Sequence, residues 1–302
     1  MKPDATALPV PPRGWRLWWL AARPKTLTLA AVPVLVGCAL AWAEGAGHAW
    51  LAAAVAFIAA LLIQAGTNLH NDTADFERGN DRADRIGPAR ATASGWASPA
   101  AVRRAAIIAF AIAFAGGTYL VYVGGWPIFI VGVVSIAAGW AYSGGPRPIS
   151  YTPLGELFVL VFFGLVAVAG SYYLQSGHVT LTALVAGVAV GCPAAAVLMV
   201  NNYRDLDTDR AAGRRTLAAV LGRDRARHAY AAMILTPFAI AVALAAMAHP
   251  GALLSLLALP NGVGLVRQLG RAADGAALNE MLGATARQQV IFGILLAVGV
   301  QI

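Results

Sequence analysis

Long apolar stretches recur along this chain and leave few folds open to it. A ~20-residue hydrophobic window places them near 19–43, 50–67, 102–123, 126–142, 157–175, 179–200, 229–248, 252–269 and 289–302. Each is long enough to cross the ~30 Å hydrocarbon core of a bilayer as a helix. Nine such spans in 302 residues leave no room for a second, water-soluble domain. The expected architecture is all-α and polytopic: an N-terminal cytoplasmic segment over 1–16, then one transmembrane domain over 17–302. Hydrophobic residues make up 59% and charged residues 12%. A soluble chain runs at about 45–50% and about 25%, so the composition excludes an ordinary cytosolic enzyme, a disordered chain and a disulfide scaffold. The 32 glycines, with long alanine and leucine runs, suit close helix packing; a strand barrel would show shorter, alternating segments. Cys38 and Cys192 stand mid-span without spacing partners and read as packing residues. The first apolar segment runs long with no small-residue cleavage site behind a short core, so no cleavable signal is expected.

Basic residues set the orientation. The connections 44–48, 124–125, 176–178 and the one around His249 contain no Lys or Arg; all 22 basic residues fall on the opposite face. By the positive-inside rule that face is cytoplasmic. The net charge of +8 then reflects topology and anionic lipid, with no call for nucleic acid.

Acidic residues do not set topology, so their clustering needs another cause. Eight of the 14 lie in two short segments that follow even-numbered spans: NLHNDTADFERGNDRADRIGPAR from Asn68, and NNYRDLDTDRAAGRRTLA from Asn201. Continued as helices, Asn68, Asp72 and Asp75 share one face, as do Asn201, Asp205 and Asp209. Stacked carboxylates repel, and doing this twice beside a membrane points to a cation that offsets the cost. Asp and Asn oxygens beside phosphate suit Mg2+, and no Cys or His grouping favours zinc. Arg78, Arg82, Arg85 and Arg90 interleave the first segment, and Arg204, Arg210, Arg214 and Arg215 the second. Metal plus guanidinium groups is the expected equipment for a diphosphate.

The two segments resemble the N-x-x-x-D and N-x-x-x-D-x-x-x-D motifs of the UbiA superfamily of intramembrane prenyltransferases. Within it the chain is similar to the 1,4-dihydroxy-2-naphthoate prenyltransferases of menaquinone synthesis, the MenA branch. That closer likeness rests on 23–27 (RPKTL), the spacer from Gly79 to Asp84 followed by 85–88 (RIGP), 142–146 (YSGGP) and 213–218 (GRRTLA). Position 214 is Arg where the branch usually has Lys, and Phe76 takes the place of the general pattern's third acid, with Asp75 and Asp81 or Asp84 standing in.

The resemblance implies about nine helices around a central cavity, in the inner membrane of a bacterium with the active site facing the cytoplasm. It implies transfer of a polyprenyl group from polyprenyl diphosphate to 1,4-dihydroxy-2-naphthoate with loss of carbon dioxide, giving a demethylmenaquinol. Mg2+ would be held by Asn68, Asp72, Asp75, Asp81, Asn201, Asp205 and Asp209, and the diphosphate by Asn68, Asn201, Arg85, Arg214 and Arg215. Lys25, Tyr142 and Arg147 would meet the acceptor. The cation left as the C1–O bond breaks needs an electron-rich lining, for which Trp140, Tyr142, Tyr172, Tyr173 and Tyr203 are candidates. Three rivals are a related enzyme with another aromatic acceptor, a CDP-alcohol phosphatidyltransferase and a secondary transporter. The insertion between Asp75 and Asp84 argues against the first. The second lacks its Asp-Gly-Ala-Arg signature here, and the third would place its acids near the bilayer midplane.

Overall fold

The computed structural model describes residues 11–80, 87, 89–272 and 275–302. A short α1 (Trp15–Ala21), with Trp15, Trp18 and Trp19 exposed, precedes α2 (Pro24–Ala43). Exposed tryptophans at a span's entry suit the membrane interface. Next comes α3 (Trp50–Glu77), whose 28 residues carry the helix into the first acidic segment as far as Glu77.

The expected spans 102–123 and 126–142 occupy one 45-residue element, α4 (Pro99–Ser143), broken at Gly125. Gly125 has φ 68° and ψ −157°, a backbone state that side chains disfavour. Both arms return to the same level of α3. A Cβ on Gly66 would lie 3.0 Å from the Phe110 ring, and one on Gly139 would lie 2.5 Å from Thr67 Oγ1. α4 is therefore a hairpin. Eight helical segments are long and apolar enough to cross a membrane, and the hairpin supplies two crossings, so the described residues account for nine.

One span then combines α5 (Gly155–Leu160), a widened turn over Val161–Val166 and α6 (Ala167–Ser176). The chain continues through α7 (Leu181–Arg204), the six-residue α8 (Leu206–Ala211) and α9 (Leu217–Ala246). A 3-10 stretch (Pro250–Ala258) leads into α10 (Leu259–Arg271), and α11 (Gly275–Gly299) follows. Buried along most of its length, α7 is the central post of the bundle. Its Gly187 and Gly191 abut Gly164, where an added Cβ would meet the Gly191 Cα at 2.7 Å. Small residues let the two backbones touch, which is how helices gain packing energy without a hydrophobic drive between them.

At the end away from the acidic segments, Glu44 accepts from the Tyr172 hydroxyl and pairs with His249 Nε2 at 3.1 Å, tying the connection after α2 to α6 and to the connection after α9. Toward the acidic end, Met199, Tyr203, Leu206, Tyr230, Leu269 and Met281 form a second apolar layer that anchors the α7–α8 junction. Asn71 and Asp75 are thus carried on α3, and Asn201, Asp205 and Asp209 on the packed α7–α8 segment.

Candidate active site

Between α2, α3, the α4 hairpin, the α5–α6 span and α7 lies a cavity of about 880 Å³. Its far part is apolar, lined by residues such as Ala56, Gly117, Leu120, Ile128 and Leu174, and its mouth is polar. Asn71 and Asp75 of α3 face Asn201, Asp205 and Asp209 from the α7–α8 segment across that mouth, with Arg90 and Arg214 beside them.

Asp75 is the most heavily engaged acid. Arg90 Nη1 lies 2.7 Å from its Oδ2, Arg214 Nη2 lies 2.8 Å from its Oδ1, and Asn80 Nδ2 donates to Oδ1 at 3.3 Å. The other Arg214 nitrogen, Nη1, is 3.6 Å from Asp209, so one guanidinium spans both acidic segments. Its plane also lies over the Tyr151 ring at 4.3 Å, and Nη2 donates to the Tyr151 hydroxyl at 3.2 Å. Asp205 is gripped by the buried Arg204, through Nε at 2.8 Å and Nη2 at 2.6 Å; Arg204 also donates to Asn201 and Asn279. Asp209 has the weakest compensation: burial, opposed by Arg214 and reinforced by the Asp205 and Asp75 carboxylates, pushes its carboxyl up to about 6. Burial works against the charge on Arg214, yet Asp75, Tyr151 and Asp209 hold it more firmly protonated than an ordinary arginine.

The N-x-x-x-D spacing occurs three times in the first segment; Asp84 of the copy at 80–84 lies outside the described residues, and of the two on α3 only Asn71 to Asp75 presents both its residues to the mouth. Asp72 is turned away. Its Oδ2 accepts from the Ala91 amide at 2.8 Å, and its Oδ1 from the Thr92 amide at 3.2 Å and from the Thr92 hydroxyl. Asp72 is buried, absent from the cavity wall and saturated with donors, so here it anchors a loop and is not positioned as a metal ligand. Asn68 does line the cavity, but its Nδ2 donates to Ala22 O and Thr26 Oγ1, fastening the α1–α2 junction to α3.

Several other candidate residues lie off the cavity wall. Lys25 is exposed and outside the cavity wall; Arg23, two residues earlier, lines it and reaches Asn71 Oδ1 at 3.5 Å. Arg147 and Arg215 are also exposed and outside the wall, and Arg215 contributes its backbone amide to Tyr151 O. Asp81, Asp84 and Arg85 lie outside the described residues. Of the aromatic candidates, Tyr142 lines the cavity with Phe158, Phe162 and Phe163, whereas Tyr172 and Tyr203 are buried elsewhere and Trp140 stacks on His70. Arg23, Asn71 and Tyr151 have no site role in the sequence reading, and Arg90 and Arg204 appear in it only among the interleaved arginines. The alternative motif register would have yielded Asn71; nothing in the sequence pairs Tyr151 with Arg214.

All donors at the mouth are Asp and Asn oxygens. Among the described residues, no three acidic, His or Cys side chains stand close enough to hold an ion alone. Such a set fits Mg2+, which is commonly bound through one or two carboxylates and completed by substrate phosphates.

Residues 30–282 match the UbiA prenyltransferase family. The chain belongs to that family. It is 38% identical over 293 residues to the 1,4-dihydroxy-2-naphthoate octaprenyltransferase of Escherichia coli, with 94% of each chain covered. The Bacillus subtilis protein of the same name is 31% identical, with 95% of this chain and 93% of that one covered. The UbiA-family fold is shared with an apo UbiA homolog from Aeropyrum pernix at a TM-score of 0.69 and 21% identity, covering 90% of this chain and 97% of that one. An Archaeoglobus fulgidus UbiA homolog bound to DMAPP and Mg2+ gives a TM-score of 0.63 at 14% identity, covering 93% and 99%.

Proposed function

We propose that this chain is a Mg2+-dependent 1,4-dihydroxy-2-naphthoate polyprenyltransferase of menaquinone synthesis. The observation that carries the reading is the meeting of two Asn/Asp segments across Arg214 at the mouth of an otherwise apolar cavity. That arrangement suits a ligand with a diphosphate head and a lipid tail. The relatives named for the naphthoate reaction cover nearly the whole chain, and the fold neighbour bound to DMAPP and Mg2+ supports the metal and the prenyl donor.

Asp75, Asp205 and Asp209, with Asn71 and Asn201, would hold Mg2+ against the diphosphate. Bound there, the metal supplies positive charge where the leaving oxygen gains negative charge. Arg90 and Arg214 rest on Asp75 in this structure and exchange those carboxylate contacts for phosphate oxygens when the substrate enters. Their forked donors strengthen as the C1–O bond lengthens, which lowers the barrier more than it tightens ground-state binding. The apolar wall excludes water from the allylic cation, and Tyr142, Phe158 and Phe162 face it with π density. The carboxyl-bearing ring carbon of the naphthoate then forms the new bond to C1. Loss of its carboxylate as carbon dioxide returns the bonding pair to the ring and restores aromaticity.

Basic residues confined to one face orient the mouth toward the cytoplasm of a bacterial inner membrane. The transporter reading is weakened because the buried charges gather at one end of the bundle and not at mid-span. Purified protein supplied with polyprenyl diphosphate and 1,4-dihydroxy-2-naphthoate is expected to release carbon dioxide and form a prenylated naphthoquinol in Mg2+, and to stop on chelation. Turnover unchanged by EDTA would remove the metal from the mechanism, and transfer only to a different aromatic acid would replace the acceptor.

A further inference from the structure

Glu156, the second residue of α5, is 1% exposed. Asn202 Nδ2 donates to its Oε1 at 2.9 Å, while Oε2 is shielded from solvent and has no hydrogen-bond partner. A buried polar oxygen without a partner is uncommon in folded proteins, so this side chain is held in place chiefly by its contact with Asn202.

Asn202 lines the cavity immediately after Asn201. Because its amide nitrogen is engaged by Glu156, its carbonyl oxygen is left to accept. Asn202 therefore offers the cavity an amide oxygen as acceptor, while Glu156, buried behind the wall, fixes which end of that amide faces in. Such a surface repels diphosphate and attracts a hydroxyl. The surroundings are aromatic. Phe158 and Tyr142 line the same cavity as Asn202, with their rings 5.8 Å apart.

We propose that Glu156 is a positioning residue which holds the Asn202 amide so that its carbonyl oxygen accepts from a ring hydroxyl of the aromatic substrate, and that the cavity thereby selects a hydroxylated ring over one whose oxygen is methylated. This rests on the aromatic-acceptor reading above. It divides the site into two chemistries: arginine and metal for the diphosphate, and the Asn202 carbonyl, in a cavity shared with Phe158 and Tyr142, for the hydroxyl. A site built to bond a hydroxyl rejects the analogue that lacks it far more strongly than a fitted apolar pocket rejects a missing methylene.

Glu156→Met tests the assignment with little change in volume. Without an acceptor for its nitrogen, the Asn202 amide no longer has its carbonyl oxygen fixed toward the cavity. Initial rates are measured with 1,4-dihydroxy-2-naphthoate and with its 1-methoxy and 4-methoxy analogues. The wild-type protein is expected to prefer the diol over at least one methoxy analogue by about 100-fold in kcat/KM. In Glu156→Met that preference falls below about tenfold and the KM for the diol rises about tenfold, while the KM for polyprenyl diphosphate stays put. A preserved preference, or a parallel rise in both KM values, overturns the proposal. Asn202→Leu should give the same loss of preference, and it decides the matter if Glu156→Met fails to fold. Should the wild-type protein use 4-hydroxybenzoate and not the naphthoate, the naphthoate reading falls, and comparing that acid with 4-methoxybenzoate decides the role of Glu156. Transfer to neither acid overturns both.

Discussion

Arg214 Nη2 lies 2.8 Å from Asp75 Oδ1, a contact between residues 139 apart in the chain that closes the two acidic segments onto each other. Without substrate, each carboxylate of the mouth has a guanidinium near it, and Arg214 is shared between two of them. This arrangement keeps like charges from driving the segments apart and keeps forked donors ready at the place where phosphate would arrive.

Arg214 is therefore expected to be indispensable and Arg215 replaceable. Arg214→Gln should lower kcat/KM for polyprenyl diphosphate by about 100-fold or more, the range seen when a single transition-state donor is removed. Arg214→Lys should recover part of the loss, keeping the charge without the fork. Arg215→Gln, at an exposed position, should leave both substrates' kinetics within about twofold. Equal damage from the two glutamine variants would contradict the inward and outward placement of the pair.

Asp72 and Asp75 are separated by kind of effect. Asp75→Asn should reduce turnover by about 100-fold with little change in thermal stability, because asparagine preserves the shape while losing the charge. Asp72→Ala strands two buried amides and a hydroxyl of the 91–92 loop, at about 1–3 kcal/mol for each unsatisfied group. Its melting temperature should drop by several degrees, and whatever folded protein remains should keep its KM for Mg2+. An Asp72→Ala protein of normal stability with a raised KM for Mg2+ would restore Asp72 to the metal set.

These two contrasts also mark how far the sequence was legible. Apolar periodicity and basic asymmetry are properties of long segments, so the spans and their order could be read directly. The acidic helix faces were readable only to within a turn. Asp72 and Asp75 are three residues apart, which places them about 60° apart around a helix. That is enough to move one from the cavity wall to the loop packed behind it. Arg214 and Arg215 follow Gly213, whose φ of 73° decides which side chain turns inward. Arg23 occupies a left-handed position between α1 and α2, and this sets it facing the cavity while Lys25 faces out. Local backbone turns made these choices, and composition does not encode them. Tyr151 depends on a long-range encounter with Arg214 that no local pattern announces.

Asp209 should leave a pH signature in the metal-free protein. Its folded carboxyl titrates near 6, above the unfolded value of 3.8, so the folded state holds the proton more tightly and stability is lost as pH rises through that interval. Asp209→Asn removes the penalty. Without Mg2+, the variant should melt a few degrees above the wild-type protein at pH 7.5, with the gap closing toward pH 4. A gap that widens on acidification would mean that the Asp209 carboxylate is stabilised by its neighbours and not strained by them.

Orientation can be tested with the protein's own two cysteines in place, because Cys38 and Cys192 are both buried and should resist aqueous maleimide. A cysteine at His48 lies in an outer connection between α2 and α3, and one at Arg215 lies on the exposed turn after α8; neither position lines the cavity. In right-side-out vesicles the first should react at once with an impermeant maleimide, and the second only after the membrane is opened. The positive-inside reading of the sequence expects the basic residues on the Arg215 side. Reaction of both positions from the same side would break the nine-crossing topology, and with it the placement of Asp75 and Asp209 at one end of the bundle.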